Sequence, residues 1–193
     1  MHILKKRSIR FYLGFVLILA MAIGGSAIAA FADSGTATVA VNAGSLTMTG
    51  VTNVSAAPVT LTGDDQTTTY SMALTVDDAR GSGAGWNLSI TSTAFTTGSQ
   101  SLSNTASSIN AGPAVVCSGV GGHCTNPDDT LITYPLGVPA GASAPTAVKF
   151  FDAKLNTGLG KFTITPTVTI SIPGNTYAGT YSSTVTIALN VGP

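Results

Sequence analysis

Strict alternation of apolar and small polar residues recurs along this chain, and it restricts the fold more than any other feature. Tyr70, Met72, Leu74 and Val76 alternate with Ser71, Ala73, Thr75 and Asp77, while Trp86, Leu88 and Ile90 alternate with Asn87, Ser89 and Thr91. A period of two sends one set to each side of a pleated strand, so each segment has an apolar face to bury and a polar face for water. Two later segments repeat the pattern. Phe162, Ile164, Val168, Ile170 and Ile172 alternate with Thr163, Thr165, Thr167, Thr169 and Ser171; Tyr181, Val185, Ile187, Leu189 and Val191 alternate with Ser182, Thr184, Thr186, Ala188 and Asn190. No helical periodicity of similar length competes, so the chain is read as all-β.

The last two segments are expected to be long strands joined by the turn Pro173-Gly174-Asn175. Pro166 has no N–H for a ladder, which places its strand at an edge or gives it a bulge there. Shorter strands are expected over Thr36–Val41, Ser45–Thr49, Pro58–Thr62 and Ala147–Asp152, with a turn at Gly63-Asp64-Asp65-Gln66. Thr96–Gly112 and Gly119–Ala144, rich in Ser, Gly, Asn and Pro, read as surface loops with one strand near Leu131–Tyr134. Many short strands between turns predict a two-sheet antiparallel β-sandwich. Disorder is the rival for a chain rich in Ser, Thr and Gly, but 44% hydrophobic residues in clean alternation oppose it.

Before the first strand, Lys5, Lys6, Arg7 and Arg10 precede an apolar run, and Ala30-Phe31-Ala32 offers small residues for cleavage. This order reads as a secretory signal peptide over residues 1–32, leaving 33–193 as one domain without a stable membrane span. An uncleaved anchor competes, because the uncharged stretch Phe11 to Ala32 could cross a hydrocarbon core of ~30 Å. The formal neutrality of the whole chain hides an asymmetry. All eight acids are Asp, at Asp33 or beyond, against only Arg80, Lys149, Lys154 and Lys161, so residues 33–193 carry a formal charge of −4. Nucleic acid is therefore excluded as an expected partner, since phosphate binding needs clustered bases.

Chemistry-bearing residues are sparse. Cys117 and Cys124 enclose a Gly-rich spacer and, in an exported chain, are expected to form a disulfide. His123 could join them as a metal ligand, but the two-residue spacing and a fourth ligand are missing, so no metal and no cofactor is expected. Asp64-Asp65, Asp77-Asp78 and Asp128-Asp129 raise calcium, yet adjacent residues in extended chain face opposite ways, and solvated turn acids are the simpler reading. Asp78 and Arg80 flank Gly81–Gly85 and could pair at the surface for ~0–1 kcal/mol. That glycine loop opens a strand rather than a helix, so it is a turn and not a phosphate cradle. With no Glu, and a single His after residue 32, no acid and base pair for catalysis is visible.

Asp78-Ala79-Arg80-Gly81-Ser82-Gly83-Ala84-Gly85-Trp86-Asn87-Leu88 resembles the signature of the WxL-domain family of Gram-positive surface proteins. The Gly63 to Gln66 turn, Gly158-Leu159-Gly160-Lys161-Phe162 and Tyr177-Ala178-Gly179-Thr180-Tyr181 stand in the order the family leads one to expect. A second, C-terminal Trp-x-Leu of typical members appears here as Ile187-Ala188-Leu189. The resemblance implies secretion, a β-sandwich and non-covalent attachment to peptidoglycan or associated cell-wall polymers, with Trp86 and Leu88 as candidate ligand-binding residues. It supplies no catalytic site. The C-terminal Asn190-Val191-Gly192-Pro193 carries no sortase-type signal, so covalent anchoring is not expected.

Alternation gives Trp86 and Leu88 a second role, since residues two apart share a face with Ile90 and that face could be the core. Functionally, a wall-binding module competes with a structural subunit of a surface fibre or layer, in which a free strand such as Thr36–Val41 adds to the next copy's sheet. Partnership with other surface proteins is a third possibility.

Overall fold

The computed structural model describes residues 34–128 and 132–193. The expected leader, Asp129 and Leu131, the head of one expected strand, lie outside the described residues. The chain divides into two compact units, Met1–Ala40 and Val41–Pro193. In the first, residues 34–40 are exposed and form no strand. The second holds the strands, and among the described residues there is no helix.

Three four-stranded sheets build the second unit. The first has the order β1 (Leu46–Thr49), β3 (Leu74–Asp78), β12 (Gly160–Thr165), β8 (Ala114–Cys117). In the second the order is β2 (Gln66–Ser71), β13 (Thr167–Ile172), β7 (Ser107–Ile109), β9 (Leu136–Gly137). The third centres on β4 (Trp86–Thr93), paired antiparallel with β11 (Val148–Ala153) and β14 (Val185–Val191) and parallel with the short β10 (Ala140–Gly141). A two-stranded ribbon, β5 (Thr96–Thr97) and β6 (Gln100–Ser101), completes the set.

The first two sheets are successive parts of one layer. Pairing of β12 with β3 runs to Ile164↔Leu74, and pairing of β13 with β2 resumes at Thr167↔Ser71. Between them Pro166 offers only its carbonyl, which accepts from the Met72 N–H at 3.2 Å. Pro166 thus neither edges nor bulges its strand. It divides it, because a ladder cannot pass a residue without an N–H, and both halves lie between two partners.

The hairpin expected at Pro173-Gly174-Asn175 does not form. Its strands, β13 and β14, belong to different sheets, and the turn docks instead on the Gly63–Gln66 turn, with the Gly174 N–H donating to Asp65 Oδ1 at 2.9 Å. Thr36–Val41 and Pro58–Thr62 form no strand either, while Ser45–Thr49 and Ala147–Asp152 become β1 and β11 nearly as expected. The strand expected near Tyr134 begins later, at Leu136 in β9.

Apolar faces from all three sheets meet in one core. Leu74, Val76, Phe162 and Ile164 come from the first, Tyr70, Val168, Ile170 and Ile109 from the second, and Trp86, Leu88, Ile90, Phe151 and Ile187 from the third. A register shift in β11 between Lys149 and Phe151 lets the consecutive Phe150 and Phe151 both be buried. Such a shift is the usual way a strand turns neighbouring side chains inward.

Candidate functional site

The Trp-x-Leu strand begins where a glycine loop ends. Asp78 closes β3 with its side chain fully buried, and Arg80 grips it at both oxygens, Nε to Oδ1 and Nη2 to Oδ2, each 2.8 Å. The same Nη2 donates to the Gly85 carbonyl at 2.8 Å, which also accepts from the Gly192 N–H at 3.1 Å. Arg80 therefore fastens the loop and the start of β4 to the end of β3. The expected surface pair is in fact half-buried: the Asp78 carboxylate is enclosed, while the Arg80 side chain keeps 16% of its surface exposed. Arg80 hydrogen bonds hold the Asp78 carboxyl below its ordinary value against the opposing effect of burial, and Asp78 raises Arg80 in return.

Trp86 and Leu88 are both 0% exposed. The Trp86 indole N–H donates to the Gly158 carbonyl at 3.0 Å, and its ring meets Phe151 at a centroid distance of 5.9 Å and a tilt of 44°. A buried Trp needs such a partner, because an unpaired N–H in the core costs free energy. The residues expected as ligand contacts are thus core packing, and neither offers an atom to a polymer outside. Ile187-Ala188-Leu189, in the place of the second Trp-x-Leu, lies on β14 directly beside them, with Ile187 opposite Ile90 and Leu189 opposite Leu88. Ile187 is only 8% exposed, so this replacement too alters packing.

A disulfide-closed loop covers the Gly158 side of this assembly. Cys117 and Cys124 are bonded, with Cα atoms 6.0 Å apart. The loop is zipped to the segment that accepts the indole: Ser118 N–H to Lys161 O at 2.8 Å, Thr125 N–H to Leu159 O at 2.9 Å, and Gly158 N–H to Thr125 O at 2.8 Å. The strand β8 that leads into it was not among the expected ones. Ala114-Val115-Val116-Cys117 alternates weakly, with Val116 61% exposed, since β8 is an edge strand.

Among the described residues, two of the open surface concavities adjoin the elements described above. One, ≈ 390 Å³, is lined by Gly122, His123, Cys124, Thr125, Leu159 and Gly160. The other, ≈ 350 Å³, lies at the Pro166 division and includes Asn110, Ala114, Thr165, Thr167 and Thr169. In the second, Asn110 Nδ2 donates to Thr169 Oγ1 at 3.0 Å, and Ser108 Oγ donates to Asn110 Oδ1 at 2.8 Å. Among the described residues no group of three His, Cys, Asp or Glu side chains could hold a metal. Of the acids considered for calcium, Asp65 accepts from the Gly174 N–H, Asp78 is paired with Arg80, and Asp128 with Lys154 at 3.1 Å.

Residues 38–193 match the family described as WxL domain surface cell wall-binding. The chain belongs to that family. Membership makes it a secreted, cell-wall-associated surface protein, and in this chain Trp86 and Leu88 are buried in the core of the sandwich. Neither a curated protein nor a solved structure matches the chain. Among the described residues no helix is long and apolar enough to cross a membrane.

Proposed function

We propose that this WxL protein, exported with a cleaved leader, holds to peptidoglycan or its attached polymers non-covalently and without catalysis, through hydroxyl and amide groups on its surface. The family match over 38–193 carries this reading. The geometry supports it in one respect. With the signature tryptophan buried, contact falls to exposed polar side chains, and the groove bearing Asn110, Thr165, Thr167 and Thr169 presents donors and acceptors suited to the hydroxyls of a glycan.

Co-sedimentation with wall sacculi tests it. The protein pellets with intact sacculi, and sacculi stripped of phosphodiester-linked polymers then divide the two targets: retained pelleting assigns peptidoglycan, loss assigns the polymers. Joint Asn110→Ala and Thr167→Ala substitution weakens pelleting while costing on the order of 1–2 kcal/mol of stability and leaving the protein folded, since exposed hydrogen bonds to Ser108, Thr169 and Ser71 are lost. A folded wild-type protein that stays in the supernatant with sacculi of several Gram-positive walls would refute the proposal.

A further inference from the structure

Ahead of β1 the chain carries a segment with every property of a strand except a partner. Thr36-Ala37-Thr38-Val39-Ala40-Val41-Asn42 alternates Ala37, Val39 and Val41 with Thr36, Thr38, Ala40 and Asn42. Residues 34–45 are all exposed, Val39 at 86% and Val41 at 89%, and none of residues 34–43 is in a strand. Two β-branched apolar residues held in water beside unpaired backbone are a poor end state, because strand addition would bury both.

A matching vacancy exists at the rim of the third sheet. Among the described residues its strand β14 pairs with β4 alone, and no strand of theirs lies along the other edge of Val185–Val191. The core-facing row of β14 is unevenly covered: Ile187 is 8% exposed, Val185 and Leu189 are half-buried, and Val191 is 71% exposed. The outward row is Thr186, Ala188 and Asn190. Both rows match the two faces of the 36–42 segment when an antiparallel pairing is offset by one residue: Ala37, Val39 and Val41 then face Val191, Leu189 and Ile187, and Thr38, Ala40 and Asn42 face Asn190, Ala188 and Thr186, six residues against six over roughly 20 Å at ~3.3 Å per residue. Other edges fit less well. The edge strands β1 and β8 have four residues each, β9 has two, and on β2 the Thr68 hydroxyl already donates to the Ala57 carbonyl at 2.8 Å. Most of β11 is buried.

We propose that residues 36–42 of one copy add as a strand beside β14 of the next, linking copies of this protein head to tail. A donor and an acceptor on each molecule form a heterologous contact, which propagates into a chain unless its rotation closes a ring. The proposal is independent of wall binding, since no residue of β14 lines the Asn110 groove.

Sedimentation velocity on the secreted protein, expressed with its own leader, tests it. The wild type is expected to show species larger than a monomer that grow with concentration. Deletion of residues 34–42, or joint Val39→Pro and Val41→Pro substitution, is expected to leave a monomer or weaken association by about tenfold or more, because proline removes ladder donors. Among the described residues the donor segment makes no strand contact, so these variants retain the melting temperature of the dilute, monomeric wild type. A peptide of residues 34–43 is expected to bind the deletion variant. Association by the deletion variant equal to the wild type, or a wild type that stays monomeric at every concentration, would overturn the proposal, whether because nothing pairs or because the segment folds onto its own β14.

Discussion

Trp86 ties a family signature to a measurable quantity. Its ring is fully buried and its N–H satisfied, so Trp86→Ala should cost about 3–5 kcal/mol, the usual result of emptying a core aromatic site. Chemical denaturation checks this. If Trp86 touched ligand instead, pelleting with walls would fail while the denaturation midpoint stayed fixed. Gly81 and Gly85 both have positive φ, 65° and 72°, but only Gly85 is crowded: a side-chain carbon there would strike the Ala153 carbonyl oxygen. Gly81→Ala should therefore cost about 1 kcal/mol of backbone strain, and Gly85→Ala several-fold more. Equal melting shifts for the two would show that the close approach of β11 does not matter. At Asp78 the carboxyl is held low, so the stability it contributes is complete above its unfolded value near ~3.9 and disappears as pH falls through the lower folded value. An Asp78→Asn variant should be less stable than wild type at neutral pH and converge with it at the acid end, as melting curves at stepped pH would record. Arg80→Ala, which leaves that carboxylate buried and unpaired, should cost on the order of 3–5 kcal/mol.

Elements with a strong two-residue period were legible in the sequence, and their partners were not. The alternation from Tyr70 to Asp77 and from Phe162 to Ile172 correctly marked extended chain and the buried face. It could not show that each run serves two sheets, because periodicity reports which way side chains point and not which strand lies alongside. Pro166 gave the one available hint, and its missing N–H did locate the break. The hairpin at Pro173 failed for a related reason: a turn motif fixes a local reversal, whereas the pairing of β14 with β4 is fixed by Ile187, Leu189 and the Trp86 strand sharing one core. The Cys117 and Cys124 bridge was legible from export and spacing, but its role was not. Its loop is fastened to Leu159 and Lys161, beside the carbonyl that receives the indole. Replacing both cysteines by serine should cost about 2–3 kcal/mol. Hydrogen exchange should then speed at the Ser118 and Thr125 amides before it does in β4. Unchanged exchange at those amides would mean that the hydrogen bonds alone hold the loop.

At the scale of the whole molecule, the Trp-x-Leu segment was legible both as a family signature and, through its spacing of two, as a core row. Trp-x-Leu looks like recognition because it is short and contains an aromatic, yet its spacing of two is also the spacing of a core row, and the packing around Phe151 decides between them. Surface polarity then falls to threonine, serine and asparagine, because only 8% of the chain is charged. Adhesion through such groups should respond weakly to salt, unlike binding carried by ion pairs. Pelleting with sacculi that drops sharply between low and physiological ionic strength would point to Lys149, Lys154 or Lys161 instead.

The chain has a single tryptophan, and it is fully buried in the core. Its emission therefore reports one environment, apolar and closed to water, with none of the averaging that several indoles would impose. A blue-shifted spectrum that resists collisional quenchers should move to the red in a single step as the sandwich opens, giving the protein a built-in optical gauge of folding that works even while it is bound to an opaque suspension of walls.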